Sequence, residues 1–191
     1  MYRTPLIAAV VATGLAAGAL AHGGATGIVK ERMDAMDAMG DAVKSVTPMM
    51  SGAAPYDAET LRAAARTFRE HSGEAMTTLF PEGSGGKPSE AKETIWSDWE
   101  DFAALAEQLG RYAEGLEAAA DNGLAGSAGT GAMMGGGGMM GGDGTTGGGA
   151  MMGGGAMMSA EHIAEMPADA AFAMTAQVCS SCHERFRTKA N

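Results

Sequence analysis

Two cysteines and a histidine near the end of the chain form the most informative cluster in the sequence. Cys179 and Cys182 are the only cysteines, and His183 completes the motif C-x-x-C-H. On a helix these residues share a face, because positions three and four apart are neighbours. Two thiols at this spacing can form thioether bonds to a porphyrin, and the adjacent imidazole can ligate its iron. The motif therefore predicts one covalently attached c-type haem with His183 as the proximal iron ligand.

Three other interpretations of the motif explain fewer of its features. A thioredoxin-type redox pair normally opens a helix after a strand, whereas this motif follows an Ala-rich stretch and no βαβ pattern occurs. A zinc site needs four ligands, and the remaining histidines, His22, His71 and His162, are scattered along the chain. A structural disulfide fits the spacing of the cysteines, although it gives His183 no role.

The N-terminus has the pattern of an export signal. Arg3 precedes an apolar run from Leu6 to Leu20, and the small residues at 19 and 21 are typical of a cleavage site. We therefore expect a signal peptide over residues 1–21 and a mature domain over residues 22–191, located in the periplasm. The run is short and rich in Gly and Ala for a transmembrane helix. We expect no stable membrane insertion of the mature chain, and an uncleaved anchor is the alternative.

The composition is acidic, which limits the classes of function. The chain has 13 Lys+Arg and 23 Asp+Glu, and loss of Arg3 with the signal peptide leaves a formal charge of about −11. This balance excludes nucleic acid as a partner and favours either simple solubility or partners with basic surfaces. No arrangement typical of nucleophilic catalysis, paired-carboxylate catalysis or phosphate binding occurs, so the sequence does not predict an enzyme.

Apolar residues recur at three- and four-residue spacing in four segments, and no segment has a convincing strand pattern. We expect Pro48 to end the first helix and Asp57 to cap the second. We also expect Trp96, Trp99 and Phe102 to pack in the core. The predicted helices run from about 27 to 45, from after 55 to 79, from 89 or 90 to 122, and from 167 through the haem motif. These segments predict an all-α fold, an antiparallel four-helix bundle in which a cofactor sits between facing helices.

The segment over residues 123–159 departs from the helical pattern. Glycine at this density does not sustain a helix, so we expect a disordered Met/Gly-rich loop inserted between the third and fourth helices. Thioether sulfur is a soft ligand suited to Cu(I), which makes copper handling one hypothesis for this loop. An inert low-complexity expansion and oxidant scavenging by methionine are the others. The loop holds four Met-Met pairs, at 133–134, 139–140, 151–152 and 157–158.

These features resemble the class II c-type cytochromes, the cytochrome c′ family. The run C-x-x-C-H-x-x-F-R over residues 179–187, close to the C-terminus, is the most specific feature of the resemblance. The segment over residues 29–36 looks like the first-helix motif of the family. Further matches occur at Pro55-Tyr56-Asp57, Phe80-Pro81 and Ile95-Trp96. The resemblance covers about 25–122 and 160–189, and the Met/Gly insert departs from it.

The resemblance implies roles for four further residues. Met36 stands where the family places the residue on the distal side of the iron, and methionine there implies a low-spin, six-coordinate haem. Met33 is the alternative ligand if the register shifts. Arg32 would contact a haem propionate, and Arg187 would lie beside the end of the proximal helix. The implied function is transfer of single electrons between redox partner proteins, with one haem c as cofactor.

Other functions stay open at this stage. A distal side without a methionine ligand would leave a five-coordinate iron that binds NO or CO. A copper-handling protein would instead use the Met-rich loop, with the haem bundle as its anchor. Members of the family often form homodimers, so the resemblance also implies a homodimer as a form of assembly.

Overall fold

The computed structural model describes residues 24–126 and 158–188. Helices account for most of these residues, and the described ranges contain no β-strand beyond one isolated bridge between Ala91 and Arg187. The expected all-α four-helix bundle is confirmed. The helices are α1 Gly27–Met50, α2 Ala58–Glu70, α3 Gly73–Thr77, α4 Thr94–Ser97, α5 Trp99–Ala119, α6 Ala160–Ala164 and α7 Ala168–Phe186, with a 3₁₀ turn at Ala120–Asn122.

Two sequence predictions lie outside the described residues. The expected signal peptide over residues 1–21 is wholly outside them, and the expected Met/Gly loop is mostly outside them. Both stay predictions. Within the described ranges, none of the helices is long and apolar enough to span a membrane.

The core forms around α5, which packs against α2, α3, α6 and α7. Its largest fully buried side chains include Leu61 and Phe68 from α2 and Phe102 and Leu116 from α5. Burial of one such side chain contributes about 1.5–3 kcal/mol. Asp57 caps α2 as expected, since its carboxylate accepts a hydrogen bond from the Thr60 amide at 2.7 Å. This packing places α5 between α2 on one side and α7 on the other.

The first helix is longer than the sequence predicts. We expected Pro48 to end it, but α1 continues through Pro48 to Met50. Proline costs most in the interior of a helix, where it removes a backbone hydrogen bond, and Pro48 lies in the last turn. Val46 and Met49 on either side of it are buried, so tertiary packing stabilises the final turn.

The second and third predicted helices are each divided or shortened. The second breaks after Glu70 and restarts at Gly73, whose φ of +56° is a conformation that glycine tolerates. The predicted start of the third helix at 89 or 90 is wrong, because α4 begins at Thr94. The residues before it pair with the end of α7 and with the chain that follows it. The Lys92 amide donates to the Phe186 carbonyl at 2.9 Å, and the Thr188 amide donates to the Glu90 carbonyl at 2.8 Å.

The aromatic residues of the third segment do not all lie in the core. Phe102 is buried and Trp96 is half-buried, but Trp99 is 39 % exposed, so its expected core position is wrong. Trp99 is in the first turn of α5, at the end of the bundle, where its ring lies 5.6 Å from that of Phe102. The described part also contains the short helix α6, which the sequence analysis did not predict and which covers Gly115.

Candidate functional site

An apolar cleft lies where α1 and α7 face each other and make few direct contacts. It encloses about 570 Å³ of space free of protein atoms, part of it open to solvent. The lining residues are Met36, Met39, Gly40 and Val43 of α1, Met76 of α3, Leu105, Ala106 and Leu109 of α5, and Val178, Cys179, Cys182 and His183 of α7.

Both cysteines line this cleft as free, half-buried thiols. Burial raises the pKa of Cys179, and burial together with the neighbouring Cys179 raises the pKa of Cys182 to about 11. Redox-active and metal-ligating cysteines instead need a thiolate, which a lowered pKa favours. No group of three or more His, Cys, Asp or Glu residues that could hold a metal ion occurs in residues 24–126 or 158–188. The thiols therefore fit an apolar covalent ligand better than a zinc ion or a redox disulfide.

His183 lies in the last turn of α7 and is partly open to solvent at the cleft. Desolvation lowers the pKa of its imidazole, the positive charge of Arg187 lowers it further, and Glu90 acts in the opposite direction. The net effect favours the neutral imidazole, which is the form that ligates a metal ion. Among the described residues, none forms a hydrogen bond with this ring, so its nitrogen atoms are available to a ligand.

Two methionines of α1 reach the same cleft as His183. Met36, the residue singled out from the sequence, lines it together with Met39. Met33, the alternative ligand, does not line it. Met39 belongs to the apolar stripe of the first helix and lies close enough to Met36 in the sequence for a shift of register to make it the ligand. Its spacing of three residues from Met36 is the signal that both share one face.

Arg32, one turn before Met36, is buried at 3 % exposure. Its guanidinium donates to the Ser84 hydroxyl at 3.1 Å and to the Ser84 carbonyl, and it lies 4.8 Å from the centre of the Phe80 ring. Its Nε atom has no hydrogen-bond partner, and none of the carboxylates in the described ranges forms an ion pair with it. Burial lowers the pKa of this guanidinium. Since buried charges are normally paired, Arg32 fits an anionic group such as a haem propionate.

Arg187 follows the last residue of α7, at the end of the helix that carries the C-x-x-C-H motif. Its guanidinium does not line the cleft but forms an ion pair with Glu90, with nitrogen–oxygen distances of 2.5 and 2.6 Å. It is nevertheless close enough to affect the pKa of His183. The structure therefore places Arg187 beside the end of α7 and outside the lining of the cleft.

The cleft meets the chemical requirements of a covalently attached haem. It has apolar walls, two protonated thiols and an imidazole on one helix, and a thioether on a second helix. Arg32, which has no counter-charge among the described residues, does not line the cleft. The Met-Met pairs proposed for copper lie, apart from Met158, outside the described residues, and that hypothesis stays a prediction.

A family model described as Cytochrome C′ matches residues 27–136, more than half of the chain. The chain belongs to the cytochrome c′ family. It is therefore a c-type cytochrome with one covalently bound haem c, and the resemblance seen in the sequence is confirmed. The matched region ends inside the Met/Gly segment, so the C-x-x-C-H motif lies beyond it.

Curated relatives agree with this assignment, and a solved structure shares the fold. A cytochrome c-556 from Agrobacterium tumefaciens (strain B2A) is 35 % identical over 88 residues, which cover 46 % of this chain and 70 % of the relative. A cytochrome c′ from Pararhodospirillum photometricum is 32 % identical over 96 residues, which cover 50 % and 75 %. The crystal structure of cytochrome c′ from Thermochromatium tepidum has a TM-score of 0.57 at 20 % identity, covering 85 % of this chain and 95 % of that one.

Proposed function

We propose that this protein carries single electrons through a haem that Cys179, Cys182 and His183 would hold, with the sulfur of Met36 as the second protein ligand of its iron. The observation that supports the proposal best is that Met36 and His183 line one apolar cleft from two different helices. When bound, the haem iron supplies a one-electron couple between its ferric and ferrous states.

The helix α7 would hold the cofactor and its proximal ligand together. Cys179, Cys182 and His183 lie within about its last two turns, so thioether bonds at the two sulfurs would keep the imidazole in a fixed register. Desolvation keeps that imidazole neutral, which leaves a nitrogen lone pair for the iron. Loss of either thiol would weaken the covalent attachment that fixes this register.

The helix α1 would supply the opposing ligand and a counter-charge. Met36 offers a neutral thioether, and a methionine opposite a histidine raises the reduction potential. The apolar walls of the cleft act in the same direction, since they stabilise the less charged iron state. Arg32, one turn away, would donate to a propionate and so help to seat the cofactor.

The proposal extends to the surroundings of the protein. We infer export by the N-terminal signal sequence and function in the periplasm, with electron exchange between partner proteins that are yet to be identified. The formal charge of about −11 after signal cleavage would favour partners with basic surfaces. In this role the protein transforms no substrate. A homodimer, which the family resemblance implies, can be tested by measuring the molar mass in solution.

Absorption spectra of the mature holoprotein test the proposed ligation. We expect a low-spin spectrum with a sulfur-to-iron charge-transfer band in the oxidised protein, and no change when CO is added to the reduced protein. Met36→Leu should convert the spectrum to high-spin and permit CO binding. Met33→Leu is the matched control on the same helix, and it should leave the spectrum unchanged. Conversion by Met39→Leu instead would assign the ligand to Met39.

A high-spin wild-type spectrum that shifts with CO would contradict the proposal and favour binding of small gases. One solved neighbour is described as the nitric oxide complex of a mutant of cytochrome c prime from Alcaligenes xylosoxidans, with a TM-score of 0.54 and 23 % identity. Binding of NO is therefore the second candidate function. It requires that neither Met36 nor Met39 ligates the iron, or that the methionine dissociates readily.

A further inference from the structure

The C-terminal end of α7 is bound by a short segment that precedes α5. We call Glu90–Thr94 the clasp. The Lys92 amide donates to the Phe186 carbonyl at 2.9 Å, and the Lys92 ammonium donates to the carbonyls of Glu184 and Arg185 at 3.0 and 3.2 Å. The Thr94 hydroxyl also donates to the Arg185 carbonyl at 3.2 Å. The last carbonyls of a helix lack partners within it, so the clasp satisfies three of them from outside.

The clasp also binds the chain just after α7. The Thr188 amide and hydroxyl donate to the Glu90 carbonyl at 2.8 and 3.1 Å. The Glu90 carboxylate forms the ion pair with Arg187 at 2.5 Å. The clasp therefore holds both the last turn of α7, which carries His183, and the residues that follow it.

The charges of the clasp act on the region of the proximal ligand. A cation at a helix C-terminus offsets the partial negative charge of the exposed carbonyls, and Lys92 occupies this position at the end of α7. The Arg187 amide donates to the His183 carbonyl at 3.1 Å, and the Glu90 carboxylate pairs with the Arg187 guanidinium, so both charges lie beside the turn that carries His183. The neighbouring Arg185 is engaged on the other side by Asp98 and Asp101.

We propose that Glu90 and Lys92 are positioning residues that set the reduction potential of the haem in opposite directions through the end of α7. The inference rests on the proposed ligation of the iron by His183. Loss of the Glu90 charge leaves Arg187 without its counter-charge, and the net positive charge favours the ferrous state. Loss of the Lys92 charge leaves the helix carbonyls without their cation, and this favours the ferric state.

Thr94 provides an internal comparison. It donates to the same Arg185 carbonyl as Lys92 but carries no charge. If the clasp were purely structural, removal of the Glu90, Lys92 or Thr94 side chain would shift the reduction potential in the same direction, because each removal would loosen the end of α7. An electrostatic clasp separates them, since only Glu90 and Lys92 change the charge near the proximal ligand.

Potentiometric titration of the mature holoproteins, followed by haem absorption, tests this inference. At the wild-type midpoint we expect Glu90→Gln to raise the ferrous-to-ferric ratio about threefold and Lys92→Met to lower it about threefold, consistent with a partly screened surface charge. A threefold change corresponds to a shift of about 28 mV for one electron, at 59 mV per tenfold change. Lys92→Arg should restore the wild-type midpoint, and Thr94→Val should leave it unchanged.

Two further variants control for loss of charge elsewhere. The first is Glu59→Gln on α2, a helix that contributes no residue to the cleft lining. The second is Lys30→Gln on α1, at a lysine that does not line the cleft. Both should leave the midpoint unchanged. Midpoints that move in the same direction in Glu90→Gln and Lys92→Met, or that do not move at all, would overturn the inference. If Lys92→Met is not recovered with haem, the direction of the midpoint shift in Glu90→Gln alone tests the inference: a rise supports it, and a fall or no change overturns it.

This outcome is separable from that of the proposed function. The ligation by Met36 is judged from the spin state and CO response of the wild-type protein. The clasp is judged from the relative midpoints of variants whose spectra match the wild type. A high-spin wild-type spectrum would contradict the electron-carrier proposal and leave the opposite shifts of Glu90→Gln and Lys92→Met as a valid test.

Discussion

The side of the molecule where α2 and α6 pack on α5 differs from the side where α1 faces α7. On the first side, which we call the packed side, the helices meet over small residues such as Ala65, Ala113 and Gly115, all of them buried. On the second side, the cleft side, Met36, Met39 and other residues line the cleft of the candidate site. The same bundle therefore contains one interface of helices in direct contact and one interface lined for a cofactor.

The difference follows from the side chains. Small residues allow two helix backbones to approach closely, so nothing further fits between them. Methionine is unbranched and has a polarizable sulfur, so it adapts to ligands of irregular shape and can itself act as a soft ligand. We conclude that the packed side provides stability and that the cleft side provides the cofactor site.

The largest expected effect comes from substitution of two leucines of α5, one inside the cleft lining and one outside it. Leu116 is fully buried and does not line the cleft, and Leu116→Ala should lower the free energy of unfolding by about 2–5 kcal/mol without changing the haem spectrum. Leu105 lines the cleft, and Leu105→Ala should alter the haem spectrum. Guanidinium unfolding followed by circular dichroism measures the first effect, and absorption measures the second. A change in the haem spectrum of Leu116→Ala would contradict the division between a stabilising core and a cofactor site.

Two helical glycines give a matched test of smaller size. A methyl group at Gly115 would lie 2.5 Å from the Ala160 carbonyl and from Ile163, so Gly115→Ala should cost about 1–3 kcal/mol. A methyl group at Gly40, which lines the cleft, meets no described protein atom within 4 Å. Gly40→Ala should therefore cost less than Gly115→Ala, because no described protein atom opposes the methyl group and helix propensity favours alanine by about 1 kcal/mol. Denaturant titrations measure the free energy of unfolding of each variant, and equal losses in Gly115→Ala and Gly40→Ala would argue against the contrast in packing.

The smallest predicted effect concerns the hydrogen bond that joins the start of α2 to the end of α5. The Tyr56 hydroxyl donates to the Ala120 carbonyl, and Tyr56→Phe should cost about 1 kcal/mol at neutral pH. Burial raises the pKa of Tyr56 above its ordinary value of 10.0. Its contribution is therefore fully present below pH 10 and is lost as the pH rises through the raised value. Unfolding free energies of wild type and variant should converge at alkaline pH, and a constant difference would contradict this assignment.

Much of the fold was predictable because its signals are local. The spacing of apolar residues predicted the long helices, and Asp57 was recognisable as a cap from its position before the second one. The positions of the helix breaks were less predictable. Pro48 is tolerated because its neighbours are buried, and α4 starts late because residues near Lys92 pair with the end of α7.

The candidate site divides in the same way. The spacing of Cys179, Cys182 and His183 was sufficient to predict haem attachment, because one helical turn brings them to one face whatever surrounds them. The acidic charge and the apolar face of the first helix were equally plain in the sequence. Each of the helical features depends on residues a few positions apart, which local geometry brings together.

Other features depend on contacts between distant parts of the chain. Met36 and Met39 line the cleft, whereas Met33 does not. Arg32 contacts Ser84, and Lys92 caps α7. These contacts depend on which helices approach each other and on how each helix is rotated about its axis. A periodic pattern indicates that a face is apolar, but not what that face meets. The partner is chosen by the packing of all the helices at once, and so these contacts emerged only from the folded chain.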